Sequence, residues 1–147
     1  MTAGRHLAVW IASIVFFILG AIWYSVMQAP WLAGIGKSTS EIAAAHGTSP
    51  MPYVVGFLAI LVMCYTLAWL MQRLHAASLL AGLRLGAIVA IGFIAATLAL
   101  NYGFEARSVT LWVINSVYVV VGLALAGAII GGWKRAPKRD EMLDATK

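Results

Sequence analysis

The chain has 147 residues, 63% of them hydrophobic and only 10% charged, with a formal net charge of +5 and a mean hydropathy of +0.92. A soluble domain carries roughly 25% charged residues, so this composition leaves too little polar surface to face water and names lipid as the solvent. The basic stretch "WKRAPKRDEMLDATK" is short and followed at once by acids, which argues against nucleic-acid binding.

A spanning helix needs about 20 mostly apolar residues. Four such runs follow one another at 7–28, 52–72, 85–102 and 109–133 and use most of the chain. The expected fold is all-α: a four-transmembrane-helix bundle over residues 1–133, with a polar cytoplasmic tail over 134–147. The first run follows Arg5 and continues through "FFILGAIWYS" without a small-x-small cleavage pattern, so it reads as a retained helix rather than a signal peptide. It ends in the aromatic group "IWYS", with Pro30 and Trp31 beyond, residue types that favour the headgroup level.

The longest connection is "WLAGIGKSTSEIAAAHGTSP". Ser38 and Glu41 have capping-box spacing and Gly47 suits a helix end, which predicts a short surface helix from Thr39 to His46; a disordered loop is the alternative. Pro52 suits the first turn of the second span. A short link after "MQRLHAAS" predicts that the second and third spans pack as antiparallel neighbours. Gly82-x-x-x-Gly86 and Gly127-x-x-x-Gly131 lie on the third and fourth spans. Small residues spaced by four let helix backbones approach closely in lipid, and packing within one chain is expected here before a dimer seam.

Charge fixes the expected orientation. Arg5, Arg73, Arg84, Lys134, Arg135, Lys138, Arg139 and Lys147 fall at the N-terminus, the second connection and the tail, whereas only Lys37 and Arg107 fall on the other side. The positive-inside rule then puts both termini of the multi-pass chain in the cytoplasm. Contact with anionic headgroups is a second use for the same charge.

The stretch "NYGFEARSVTLWVIN" becomes the outer turn between the last two spans. With the turn centred near Ser108, Asn101 and Asn115 lie at equal distance from it, about 10 Å deep at 1.5 Å per residue. They are expected to touch or to share a partner. Thr97, Asn101 and Glu105 are spaced by four on one face of the third span, and Trp112, Asn115 and Tyr118 by three on the fourth. An unpaired amide is costly in hydrocarbon, so these side chains are expected to face the bundle interior. Tyr24, Ser25 and Tyr53 come from similar depth on the first two spans. Two uses fit this cluster. It holds the helices together, with Glu105 and Arg107 as a solvated turn pair; or it walls an outward-facing pocket for a lipid or small amphiphile. In the second use Asn101 and Asn115 supply hydrogen bonds, Glu105 supplies charge, and Trp112, Tyr118, Tyr24 and Tyr53 form walls beside Thr97.

The segments "LGAIWYS", "PYVVGFLAILVMCYTLAWLM" and "GFIAATLALNYGFEARSVTLWVINSVYVVVGLALAGAIIGGW" resemble the bacterial family of domain of unknown function 1761 over residues 7 to 133. The resemblance implies a small four-helix bacterial protein of the cytoplasmic membrane and supplies no activity, substrate or catalytic residue. The stretch "VMQAPWLAGIGK" after the first span departs from the family pattern.

Several chemistries lack their residues. Cys64 is the one cysteine, so disulfide exchange has no pair, and a small apolar filler is its expected role. His6, His46 and His75 fall at ends or in loops, away from any haem or zinc arrangement within the spans. No carboxylate sits inside an expected span, as a proton-coupled exporter needs, and no phosphate loop is present. The residues point to no cofactor, no metal and no catalytic constellation. Three classes remain: a binding or accessory protein, a small transporter acting as a homo-oligomer, and a structural subunit of a larger membrane complex. Membrane lipids are the expected partners.

Overall fold

The structure, a computed structural model, describes residues 3–133; the expected polar tail at 134–147 and its five basic residues lie outside the described residues. The elements run α1 (Ala3–Val26), α2 (Gln28–Ile35), α3 (Thr39–His46), α4 (Met51–Arg73), α5 (Leu79–Val89), a π segment (Ala90–Ala95), α6 (Ala96–Phe104) and α7 (Val109–Gly132). α5, the π segment and α6 are one continuous rod, Leu79–Phe104. With α1, α4 and α7 it makes four helices long and apolar enough to cross a membrane, so the chain is built as a multi-pass membrane protein. This rod is called the third span below. The bundle has a terminal end, with the start of α1 and the close of α7, and a loop end, with α2, α3 and the turn at 105–108.

Three helix starts are capped by the serines the pattern offers. Ser38 accepts from the Glu41 amide and the Glu41 carboxylate accepts from the Ser38 amide, a complete capping box that starts α3 at Thr39 as expected. Ser78 and Ser108 cap α5 and α7 through the amides of Ala81 and Leu111. α2 was not expected. Pro30 and Gly34 suggest a loop, yet Pro30 falls in the first turn, where its missing N–H is no loss. Gly36 then closes the helix at φ +68°, with Lys37 N–H returning to the Leu32 carbonyl.

α7 is the central helix. It packs against α5 and the π segment on one side and α1 on the other; α4 lies against α1 and contacts α7 less. The expected pairing of the second span with the third is therefore corrected: α4 and α5 are joined by a short link but share few contacts. Glycine decides this. A Cβ on Gly82 would lie 2.0 Å from the Gly127 carbonyl oxygen, one on Gly127 2.1 Å from that of Gly82, and one on Gly86 2.1 Å from that of Leu123. Backbone thus rests on backbone, and the third span chooses α7 because only there do two glycine faces meet. The same seam bears out the expectation that the spaced glycines serve packing within the chain. On α7's other side Phe16 fills the space over Gly122, where a Cβ would come within 1.9 Å of the ring. Cys64 is fully buried among Val9, Ala12, Leu67 and their neighbours, as a small filler would be.

Candidate functional site

The polar groups of the bundle meet at its loop end, around Asn115. Its Oδ1 accepts from the Tyr24 hydroxyl at 2.9 Å, and its Nδ2 donates to the Tyr102 oxygen at 2.8 Å. One half-buried amide thereby ties α1, α6 and α7 together, with both sides of its hydrogen-bonding capacity in use. The order of donors fixes a direction. Tyr24 spends its proton on Asn115, and Asn115 fills an acceptor site on Tyr102, so the Tyr102 phenolic proton remains available. Aromatic rings enclose the junction: Tyr24 meets Tyr118 at 5.2 Å and Trp31 at 5.7 Å, both edge to face, and Tyr118 meets Phe16 at 5.3 Å. Two indoles brace the helices around it, Trp23 Nε1 donating to the Ile114 carbonyl at 3.1 Å and Trp112 Nε1 to the Ala95 carbonyl at 3.0 Å.

Tyr102 also borders a depression of about 270 Å³ between the ends of α6 and α7, floored by Ala99, Gly103, Val109 and Trp112. Arg107 lies on its rim with the guanidinium over the Tyr102 ring, 5.4 Å from the centroid, and pairs with Glu105. Both members of that pair are about half exposed, so it contributes little to stability and remains open to other partners. A wider, open depression of about 560 Å³ lies by the same turn, against the end of α2 from Ala33 and its closing Gly36. Among the described residues no three His, Cys, Asp or Glu side chains lie together as a metal would require.

Of the residues singled out in the sequence, Asn115, Tyr24, Tyr118 and Trp112 come together here. Thr97, Asn101, Glu105 and Tyr53 do not join the junction. Tyr53 is 70% exposed on α4, and Ser25 is exposed and bonded to its own helix at Ala21. Glu105 stays at the turn, in the solvated pair expected of it. The expectation that Asn101 and Asn115 touch or share a partner is corrected: Asn115 bonds Tyr24 and Tyr102, and Asn101 is exposed. The cause is the π segment. Gly82, Gly86 and Ala90 are the buried residues of α5 and the π start at a spacing of four, which continues as 94, 97 and 101 in a plain α-helix. One extra residue in the wide turn moves the inward stripe on by one, to Ala95, Leu98 and Tyr102. Thr97 and Asn101 are turned out by the same step, Thr97 bonding back to the Phe93 carbonyl.

Comparison with known proteins adds the family. The family model "Protein of unknown function (DUF1761)" matches residues 7–131, nearly the whole of the four spans. The chain belongs to that family. No curated protein matches it, and no solved structure does. In this DUF1761 member the matched region takes in every residue of the Asn115 junction and both depressions.

Proposed function

We propose that this DUF1761 protein is a binding or accessory protein of the membrane that holds a lipid or small amphiphile at its loop end, between α6 and α7. The observation that carries the reading is the directed relay Tyr24–Asn115–Tyr102, which leaves an unspent phenolic proton on the wall of a depression with an apolar floor. An amphiphile matches such a place: its polar group accepts from Tyr102 and Arg107, and its chain lies along Ala99 and Val109 into the membrane. The reading includes both termini in the cytoplasm of a bacterial cell, so that the loop end faces outward in the cytoplasmic membrane. Binding without chemistry is part of it, and assembly of several copies is compatible with it.

Native mass spectrometry of protein released from its membrane in mild detergent tests the reading. A discrete adduct is expected on the wild type and on Tyr53→Leu, whose side chain lies outside the junction, and its loss is expected in Asn115→Leu. A wild-type protein that flies clean, or an adduct indifferent to Asn115, would refute the site and turn attention to a structural role beside a partner protein.

A further inference from the structure

The third span carries one residue more than a straight α-helix between its two anchor points would use, and the structure spends that residue in the π segment Ala90–Ala95. On the terminal side of that segment the glycine seam clamps α5 to α7. On the loop side α6 is anchored by the Asn115–Tyr102 bond and then by a turn of only four residues, 105–108. That turn is tight. Ala106 sits at φ +52°, in the left-handed region that side chains disfavour.

Four features surround the wide turn. Ser116 is buried to 6% exposure on the face of α7 that carries Trp112, Leu123 and Gly127, the residues that meet the third span, and its hydroxyl has no partner among the described residues. The carbonyl of Ala95, the last residue of the π segment, is taken by the Trp112 indole from the neighbouring helix. The residues turned outward by the extra residue are the polar Thr97 and Asn101, side chains that a lipid-facing surface does not call for. Asn101 and Tyr102 are consecutive, so a shift of one residue replaces one by the other opposite Asn115.

We propose that the third span is a two-register element, holding its surplus residue either in the π segment or in the turn at 105–108, and so presenting Tyr102 or Asn101 to Asn115. When the surplus moves to the turn, Ala90–Ala95 closes to an ordinary α-helix and α6 rotates by about 100°, one residue's worth of helix. Thr97 and Asn101 then replace Leu98 and Tyr102 on the inner face. The turn gains a residue, and Ala106 is freed from its left-handed conformation. The amide of Asn101 takes over a bond to Asn115, and the Tyr102 ring leaves the depression it borders. Register exchange therefore remodels the wall between α6 and α7, whether or not a ligand is ever bound there. π turns lend themselves to this because they are single insertions that α-helix geometry can pass along.

Fluorine NMR in lipid nanodiscs reads the exchange. A trifluoromethyl tag is placed on Asn101→Cys in a Cys64→Ala background, and nitroxide-labelled lipid broadens any tag that faces the bilayer. Two resonances are expected, one broadened and one sheltered. Deleting Gly92 removes the surplus residue, so the sheltered resonance should vanish. Trp112→Phe removes the indole bond that holds the Ala95 carbonyl, so the ratio of sheltered to exposed signal should rise about fivefold, the change one hydrogen bond sets. A single broadened resonance in the full-length protein would overturn the proposal. So would a sheltered resonance that survives the deletion, which marks fraying of the helix end. Should the deletion protein fail to accumulate, an unchanged ratio in Trp112→Phe overturns it alone.

Discussion

Adding one methyl group to the glycine seam gives a stringent test of the packing. In Gly82→Ala the new Cβ would sit 2.0 Å from the Gly127 carbonyl oxygen and 2.7 Å from its carbon, and both are backbone atoms that cannot swing aside. An ordinary carbon–oxygen approach is about 3.3 Å, so α5 and α7 must separate by about 1.3 Å. A gap of about 1 Å forfeits up to half the dispersion well of each atom pair across it, and overpacking of this kind costs about 1–3 kcal/mol. Alanine's better helix propensity offsets at most about 1 kcal/mol of that. Gly103→Ala is the matched control, because nothing among the described residues lies within 4 Å of its Cβ position. Cys64, the only cysteine and fully buried, supplies the assay: a thiol-reactive fluorophore in mild detergent reports when heating exposes it. Gly82→Ala should lower the midpoint by about 3–8 °C, and Gly103→Ala should leave it unchanged or raise it. Equal midpoints for the two variants would refute the backbone-on-backbone seam.

Three further outcomes are expected. Asn115→Leu strands the hydroxyls of Tyr24 and Tyr102 and should destabilise the bundle by about 0.6–2 kcal/mol in the same thiol assay, whereas Tyr53→Leu should leave it unaltered. Ser38→Ala removes the acceptor of the Glu41 amide, so hydrogen exchange across α3 should quicken about tenfold while the four spans keep their protection. The Ser38 hydroxyl and amide hold the Glu41 carboxyl below its usual range, so the cap is at full strength above the unfolded carboxyl's pKa and is lost as pH falls through the lower folded value. Exchange in α3 should therefore accelerate on acidification below the ordinary glutamate range, and Glu41→Gln should abolish that dependence.

Much of the fold was legible because lipid imposes a simple rule. Four apolar runs mean four spans, and α3 could be placed from Ser38, Glu41 and Gly47 to its final residue. The glycines at 82, 86, 127 and 131 could be assigned to packing, but not to their partner, since loop length suggested α4 and only backbone proximity picks α7. Half of the site was legible too. Asn115, Tyr24, Tyr118 and Trp112 meet as polar or amphipathic groups at one depth should. Tyr102 was passed over for Asn101 because counting by four assumes an unbroken α-helix, and "AIGFIA" carries no residue that marks a wide turn. Trp31 could be placed at headgroup level but not against Tyr24, because Pro30 and Gly34 concealed α2.

The central place of α7 bears on how the protein is made. Its apolar window is 44% buried, against 33%, 28% and 22% for the first, second and third spans, yet it is the last of the four to leave the ribosome. Until it arrives, the third span has almost nothing to lean on, and the faces of Gly82 and Gly86 lie against lipid or the insertion machinery. Assembly of this bundle therefore waits for its final hairpin, and a nascent chain halted before residue 109 would hold three spans in the membrane without the helix that organises them.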